Sequence, residues 1–327
     1  MNGFSKYVSH IKILIILSAF FSTTIFAQSW PNSEIKIIVP FSVGGSVDGI
    51  PRMLQAGLQE RLGVPVLIDN KAGASGTLGT AFVAKSKPNG NTWLSIADTL
   101  AVSPSLYPNL PFDTEKDLEP VLMIGTSPYV LAINNSRPQK TLNDILASAK
   151  QTPRSISYAT FGSGSGGHLV MLKLSKKAGV DLIHVPYKGG VPAVTDAIAG
   201  HVDLVIGSAA LIVPMIKSGK LRGVVQFGDS RLNSLTELPT VSESGFPGNE
   251  GVVWWGIFTT AGTPKPIIER FRSELVVGLK SEAVSKQISE SMHIKLTLDS
   301  SDYLRKFLNE QIKNWGAVVQ ENGVKID

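Results

Sequence analysis

The 327-residue sequence predicts an α/β protein of two lobes, each built on a largely parallel sheet. Short β-branched runs alternate with longer helical stretches, which is the pattern of parallel-sheet α/β units. The alternation forms two series, and extended runs near 121–134 and 252–260 follow the first and the second series. We therefore expect two chain crossings between the lobes, with the C-terminal helices returning to the first lobe. A simple tandem of two domains is the alternative.

In the first series, glycine-rich turns separate strands from helices. The third strand leads into a segment with four prolines, which predicts a loop. Two extended runs then follow, with only Ser127 and Pro128 between them. The pattern predicts strands at 34–40, 64–69, 92–97, 121–126 and 129–134, and helices at 47–62 and from the second glycine-rich turn to Lys85.

The second series restarts with a helix near Leu142 and continues with shorter strands. The apolar run 252–260 contains Trp254 and Trp255, which predict packing at a domain seam. Ser300 or Ser301 is expected to cap the last helix. We predict strands at 156–161, 182–185, 204–206 and 223–227, and helices at 168–178, 191–198, 266–279, 282–289 and 300–321.

The N-terminus predicts a secretory signal peptide over residues 1–27. Lys6 and Lys12 precede an apolar run of about 15 residues that ends at Ala27, and a membrane span needs about 20. An uncleaved anchor helix is the alternative. The sequence has no cysteine, which excludes a lipid-attached lipoprotein and disulfides. A secreted chain held together by its core alone points to a bacterial periplasm.

The charge balance excludes nucleic acid as a partner. Residues 1–27 carry two lysines and no acid, so their removal lowers the formal net charge from +5 to +3. No basic run with interleaved aromatic residues occurs. A small positive balance is compatible with an anionic ligand.

Three glycine-rich loops occur where a predicted parallel strand ends and a helix begins, which is where open α/β sheets bind ligands. They are 41–48 (FSVGGSVD), 72–77 (AGASGT) and 162–168 (GSGSGGH). Glycine lets the backbone approach a ligand, and the first amides of the following helix face an anion. Each loop alone is equally typical of a tight turn, but three of them together favour a shared cleft.

Other chemistries fit these loops less well. The third loop matches G-x-G-x-x-G, but Asp181 precedes the next strand instead of ending it, which disfavours a dinucleotide site. Ser163, Ser165 and His168, with Asp203 downstream, suggest a hydrolase, yet no G-x-S-x-G elbow is present. A serine before a helix is more typically a cap. The mature histidines lack metal-ligand spacing, so we expect no metal and no cofactor.

Six stretches resemble the Bug (TctC-like) solute-binding proteins of tripartite tricarboxylate transport systems over essentially the whole mature chain. They are IVPFSVGGSVDGIPR (38–52), NKAGASGTLG (70–79), HVPYKGGVPAVTDAIAGHVDL (184–204), KSGKLRGV (217–224), LPTVSESGFPG (238–248) and WWGIFTTAGTPKPIIERF (254–271). The resemblance implies a type II periplasmic-binding-protein fold: two α/β lobes joined by two crossover segments, with a ligand cleft between them. The expected boundaries are 28–128 with 254–327 for lobe 1, and 129–253 for lobe 2.

The resemblance also implies a non-enzymatic receptor that binds a small organic carboxylate and delivers it to the membrane permease subunits of a tripartite transporter. We expect a monomer. A sensor that signals to a membrane histidine kinase is the alternative. In the family, main-chain amides and small hydroxyls hold the ligand, so the implied binding residues are Phe41, Ser42, Gly44, Gly45, Asp48, Ala74, Ser75, Thr99, Ser163, Ser165, His168 and Ser208.

The chain departs from the family pattern at three positions. Leu172 stands where relatives usually carry a glutamate, and Gly207, followed by Ser208, stands where they usually carry an aspartate. Lys71 replaces the customary arginine. Two missing acids disfavour recognition of a ligand amino group and favour a purely carboxylic ligand.

Overall fold

The computed structural model describes residues 30–187 and 189–325, so the predicted signal peptide lies outside the described residues. The strands are β1 Ile35–Val39, β2 Val66–Asn70, β3 Thr92–Ala97, β4 Leu118–Asn134, β5 Ser157–Thr160, β6 Ile183–Pro186, β7 Leu204–Ser208, β8 Leu221–Gln226, β9 Val252–Thr260 and β10 Lys295–Asp299. The helices are α1 Ser46–Leu62, α2 Thr77–Ala84, α3 Thr99–Leu106, α4 Leu142–Gln151, α5 Gly166–Ala178, α6 Gly190–Ala199, α7 Ala209–Lys217, α8 Lys265–Leu279, α9 Glu282–Lys286 and α10 Ser301–Glu321.

The described strands form two sheets that share β4. The strand order is β2-β1-β3-β9-β4-β7-β5-β6, and β8 and β10 also pair with β4. Residues 118–128 of β4 pair with β9, and residues 129–134 pair with β7 and β8. We call β2, β1, β3, β9, β10 and the first part of β4 the first sheet, and the second part of β4 with β5 to β8 the second sheet.

The predicted break at Ser127 and Pro128 is wrong, because β4 continues through both residues. Proline lacks the N–H that a ladder needs, so it is tolerated where a strand changes partners. Pro128 still pairs with Val252 of β9, whereas Tyr129 pairs with Ser208 of β7. Tyr129 N–H also donates to the carbonyl of Gly251 at 3.2 Å, so the two chain crossings lie side by side.

The segment after β3 is a helix, α3, where the prolines predict a loop. Leu100, Val102 and Leu106 are buried, and α10 packs against the helix. This burial outweighs the cost of Pro104 in so short a helix. Sequence reasoning also missed β10, which pairs antiparallel with β4, and α7, which contains Pro214.

The helix ends follow local chemistry. The Ser300 hydroxyl accepts from Tyr303 N–H and caps α10, which confirms one of the two predicted caps. Trp93 of β3 stacks on Phe271 of α8 with ring centroids 3.9 Å apart. The C-terminal part of the chain therefore packs on the first sheet.

We predict that Gly125→Ala lowers the free energy of unfolding by about 2 kcal/mol. A Cβ at Gly125 would collide with the backbone carbonyl of Lys295, so β10 would have to move away from β4. Urea unfolding measures the change. Gly49→Ala is the control, because its Cβ would meet only Met292 Cε at 3.5 Å and alanine favours a helix. Equal stability of the two variants would contradict the prediction.

Candidate functional site

The strand directions bring six loops of the two sheets face to face. β1, β2 and β3 are parallel, and β4 runs in their direction because both β3 and β4 are antiparallel to β9. β5, β6 and β7 are parallel to one another and antiparallel to β4. Since β4 runs from the first sheet into the second, the carboxyl ends of the parallel strands in each sheet point toward the other sheet. We call the space between them the cleft.

The first loop, 41–45, follows β1 and is organised by Asp48. This carboxylate is 2% exposed and accepts from Gly44 N–H at 3.0 Å, Arg52 Nε at 2.9 Å and Asn70 Nδ2 at 2.9 Å. Burial raises the pKa of Asp48, but these hydrogen bonds outweigh burial and hold it below the ordinary value. The carboxylate therefore fixes the loop from below and is not free to bind a ligand.

Two residues that sequence reasoning missed complete this loop. Arg52 Nη2 donates to Asn70 Oδ1 at 2.7 Å, and Asn70 Nδ2 donates to the Phe41 carbonyl at 3.0 Å. Trp255 Nε1 donates to Ser46 Oγ at 3.0 Å, so the double tryptophan also positions the start of α1. Ser42, Gly44 and Gly45 are exposed.

The second loop contacts the first through Phe41. A Cβ at Gly76 would lie 3.1 Å from Phe41 Cζ, so the ring rests on the turn before α2. Ala74 and Ser75 have φ angles of 45° and 52°, in the left-handed region that is uncommon for residues other than glycine. Both residues are exposed at the edge of the cleft.

Asp98 joins the end of β3 to the second sheet. Its carboxylate is 6% exposed and accepts from the Tyr129 hydroxyl of β4. A Cβ at Gly166 would collide with both groups, so the start of α5 lies directly against this pair. Burial raises the pKa of Asp98 to about 6, although the Tyr129 hydrogen bond acts in the opposite direction. The sequence analysis did not predict Asp98 as a site residue. Its position directly after the apolar strand β3 is the one feature of the sequence that could have indicated it.

Thr99 begins α3 at the same junction. Its Oγ1 is buried and has no hydrogen-bond partner among the described residues. A buried hydroxyl without a partner costs free energy unless a water or ligand satisfies it. Thr99, one of the predicted binding residues, therefore has a buried hydroxyl at the cleft that a ligand or a water could satisfy.

The third loop packs on α3, across from its own sheet. A Cβ at Gly164, whose φ is +74°, would collide with Leu106 of α3. Ser165 Oγ accepts from His168 N–H at 3.4 Å, which confirms the capping role of a serine before this helix. Ser163 is half-buried nearby.

His168 stabilises the third loop and is a neutral imidazole. Its Nδ1 accepts from Gly164 N–H at 3.1 Å, which places the ring proton on Nε2. The ring stacks on His184 with centroids 3.7 Å apart and an interplanar angle of 8°. Burial, with the neighbouring His184, lowers the pKa of His168 to about 3, and burial lowers that of His184 to about 4.

We predict that neither His168 nor His184 titrates between pH 5 and pH 8. Both pKa values are lowered, so the neutral pair stabilises the fold above pH 6.5, and this stability is lost as the pH falls toward 4 and then 3. Nitrogen shifts of the two imidazoles in ¹⁵N NMR should stay constant over the range. A midpoint above pH 5 for either ring would contradict the prediction.

The last predicted residue, Ser208, ends β7 beside Tyr129 and precedes α7. Its neighbour Gly207 is covered by the ring of Phe161, because a Cβ there would lie 3.0 Å from Phe161 Cε2. Gly167 of the third loop packs closely on the same strand, because a Cβ there would lie 3.3 Å from Ile206 Cγ2. All twelve predicted binding residues therefore lie at the cleft, on strand ends, loops or helix starts, although Asp48 and His168 are engaged within their own loops.

The geometry disfavours the alternatives. Asp203 precedes β7, and its carboxylate accepts from Ser157 N–H at 2.7 Å, at the end of the second sheet opposite Ser163 and His168. A hydrolase triad is therefore not assembled. A cavity of 160 Å³ beside Arg137 and Asp203 lies at this remote end. The described residues contain no group of three or more His, Cys, Asp or Glu side chains able to hold a metal.

Comparison with known proteins identifies the family. The model of the tripartite tricarboxylate transporter family receptor, TctC, matches residues 50–324. The chain belongs to this family. TctC proteins are receptors and not enzymes, which confirms that prediction. The chain also has the α/β fold of solved periplasmic binding proteins, as the resemblance implies.

Individual TctC relatives cover nearly the whole chain. BugT of Bordetella pertussis is 32% identical over 322 residues, which are 96% of this chain and 98% of BugT. A protein of R. palustris solved with adipate is 28% identical, with a TM-score of 0.83, and covers 90% of this chain and 99% of that one. MatC from Rhodopseudomonas palustris, solved with bound malate, is 28% identical, with a TM-score of 0.80. The match covers 89% of this chain and 100% of MatC.

No helix among residues 30–187 and 189–325 combines the length and the apolar character that a membrane crossing requires.

Proposed function

We propose that this protein is a periplasmic receptor that binds a small organic carboxylate in the cleft and delivers it to the membrane permease of a tripartite transporter. The two lobes are 28–128 with 254–327, and 129–253. Ligand binding closes them, and the closed form is the one that the permease recognises. The predicted signal peptide supports the location.

The observation that carries the proposal is the set of open helix ends at the cleft. Helices α1, α2, α3, α6 and α7 begin there without a side-chain cap, and only α5 is capped there, by Ser165. Among the helices that begin elsewhere, α4 and α10 are capped and α8 and α9 are not. The first amides of a helix have no partner within the helix and carry a partial positive charge. Several such ends around one space favour an anion.

Neutral donors suit a receptor that must release its ligand. A buried lysine would have to be desolvated, whereas amides and hydroxyls bind a carboxylate at a fraction of that cost. The buried Thr99 Oγ1 and the Nε2–H of His168 are such donors. Relatives solved with adipate and with malate support a carboxylate as the ligand class.

A thermal-shift screen of the mature protein tests the ligand class. Mono-, di- and tricarboxylates are compared with sugars, amino acids and cations at equal concentration. A ligand at about one hundred times its dissociation constant adds about 2.7 kcal/mol to the free energy of unfolding. Stabilisation by a sugar or a cation, with none from any carboxylate, would overturn the proposal.

A charge placed in the first loop tests the location of the site. Val43 is 69% exposed, so Val43→Asp leaves the fold intact. A carboxylate at this position should repel the ligand carboxylate and weaken its binding about tenfold in calorimetry. Val43→Asn controls for shape, and Val277→Asp, at a 53% exposed position on α8, controls for net charge. Equal affinity for all three variants would place the ligand elsewhere.

A further inference from the structure

Phe161 covers the second sheet's side of the cleft. It follows β5, and its ring lies across the end of β7 and the start of α6. Cβ atoms built at Gly207 and Gly190 would lie 3.0 Å and 3.2 Å from Phe161 Cε2. Both positions must therefore remain glycine while the ring keeps its place.

The surroundings of this ring are apolar. Leu211 of α7 lies against Gly190, and Val191 at the start of α6 is 70% exposed. Tyr187 donates its hydroxyl to Asp196 at 2.7 Å, so that hydroxyl is already engaged. Phe161, Leu211 and Val191 together form an apolar surface at the carboxyl ends of the second sheet, which we call the Phe161 surface.

The carboxylates close to the six cleft loops are all engaged within the protein. Asp48 binds Arg52, and Asp69 lies 3.1 Å from the Lys71 ammonium. Asp98 accepts from Tyr129, and Asp196 accepts from Tyr187. The sequence has no acid in 161–168, 187–191 or 207–211, the three loops of the second sheet. A ligand ammonium would find no carboxylate in these loops and would be buried without a partner, which is costly.

We propose that the Phe161 surface selects carboxylates that carry a hydrocarbon segment and no ammonium group. The inference rests on the proposed function. The helix ends bind the carboxylate, and the methylene or aromatic part of the ligand packs on Phe161. Hydroxyls placed against this surface lose their hydrogen bonds to water without replacement.

Two matched ligand pairs test the selection by calorimetry. Adipate and galactarate are six-carbon dicarboxylates that differ in four hydroxyls, and glutarate and L-glutamate differ in one ammonium. We expect adipate and glutarate to bind at least tenfold more tightly than their partners. If galactarate binds as tightly as adipate, or glutamate as tightly as glutarate, the inference is overturned. The proposed function as a carboxylate receptor would still stand. Failure of all carboxylates in the thermal-shift screen would instead overturn the proposed function.

Variants at Phe161 assign the preference to this ring. Phe161→Ala should weaken adipate binding about tenfold and reduce the ratio between adipate and galactarate. Phe161→Leu, which keeps an apolar side chain, should restore the ratio. Phe82→Ala, at a 45% exposed phenylalanine of α2, is the control and should leave it unchanged. Affinities and ratios of Phe161→Ala equal to those of the unmodified protein would overturn the role of Phe161.

Discussion

The Asp48→Ala variant is expected to bind its carboxylate ligand at least one hundredfold more weakly than the unmodified protein. Asp48 holds Gly44, Arg52 and Asn70 in place, so its removal releases the first loop at the cleft. It also leaves Arg52 and Asn70 without their main partner. Arg52 is 40% exposed, which reduces the cost to about 2 kcal/mol of the free energy of unfolding.

Calorimetry and urea unfolding separate these two effects. Asp181→Ala removes an exposed carboxylate that lies 3.7 Å from Arg154, and it should change neither quantity measurably. The lowered pKa of Asp48 means that its stabilising contribution is present above the ordinary pKa and is lost as the pH falls below it. Unchanged ligand affinity in Asp48→Ala would show that the first loop needs no anchor.

Asp98→Asn is expected to stabilise the protein relative to the unmodified chain as the pH rises. Asparagine keeps an oxygen that accepts from Tyr129, but it carries no charge in the buried junction beside Gly166. The pKa of Asp98 is raised from 3.8 to about 6, so the stability that its neutral form provides is complete below pH 3.8 and is lost as the pH rises through 6.

Unfolding free energies of both proteins at pH 4 and pH 7.5 measure this effect. The advantage of the variant should grow by roughly 2 kcal/mol between these values, because each unit of pKa shift corresponds to about 1.4 kcal/mol. Taking the difference between the proteins removes the contributions of groups that they share. Asp181→Asn, at an exposed aspartate, should show no such growth. A constant difference for Asp98→Asn would mean that Asp98 is ionised at no cost.

Local patterns in the sequence were sufficient to predict most strands and the three loops. β3 and β9 were predicted at their observed boundaries, 92–97 and 252–260, because turn residues flank continuous apolar runs. The helix α3 was missed because local proline signals were outweighed by packing against α10, which lies two hundred residues away in the sequence. β10 depends likewise on its partner β4.

The candidate site was predictable in its location and less so in its roles. Glycine spacing indicated which loops meet, since it follows from strand-to-helix junctions. The internal bonds of Asp48 and His168 depend on Arg52, Asn70 and Gly164, and residue types alone do not reveal such pairings. Asp98 and Phe161 were missed because their partners, Tyr129 and Gly207, lie on other strands.

The continuity of β4 has a mechanical consequence. A receptor hinged on free loops must freeze many backbone torsions each time it closes, at about 1 kcal/mol for each residue ordered. Here Tyr129 is already held by Gly251, and the chain leaves one sheet and enters the other within a single strand. That entropy is lost once, during folding. In the closure that we propose, rotation of the lobes would spread as elastic twist along the two paired crossing strands, and ligand binding would work against this stiffness.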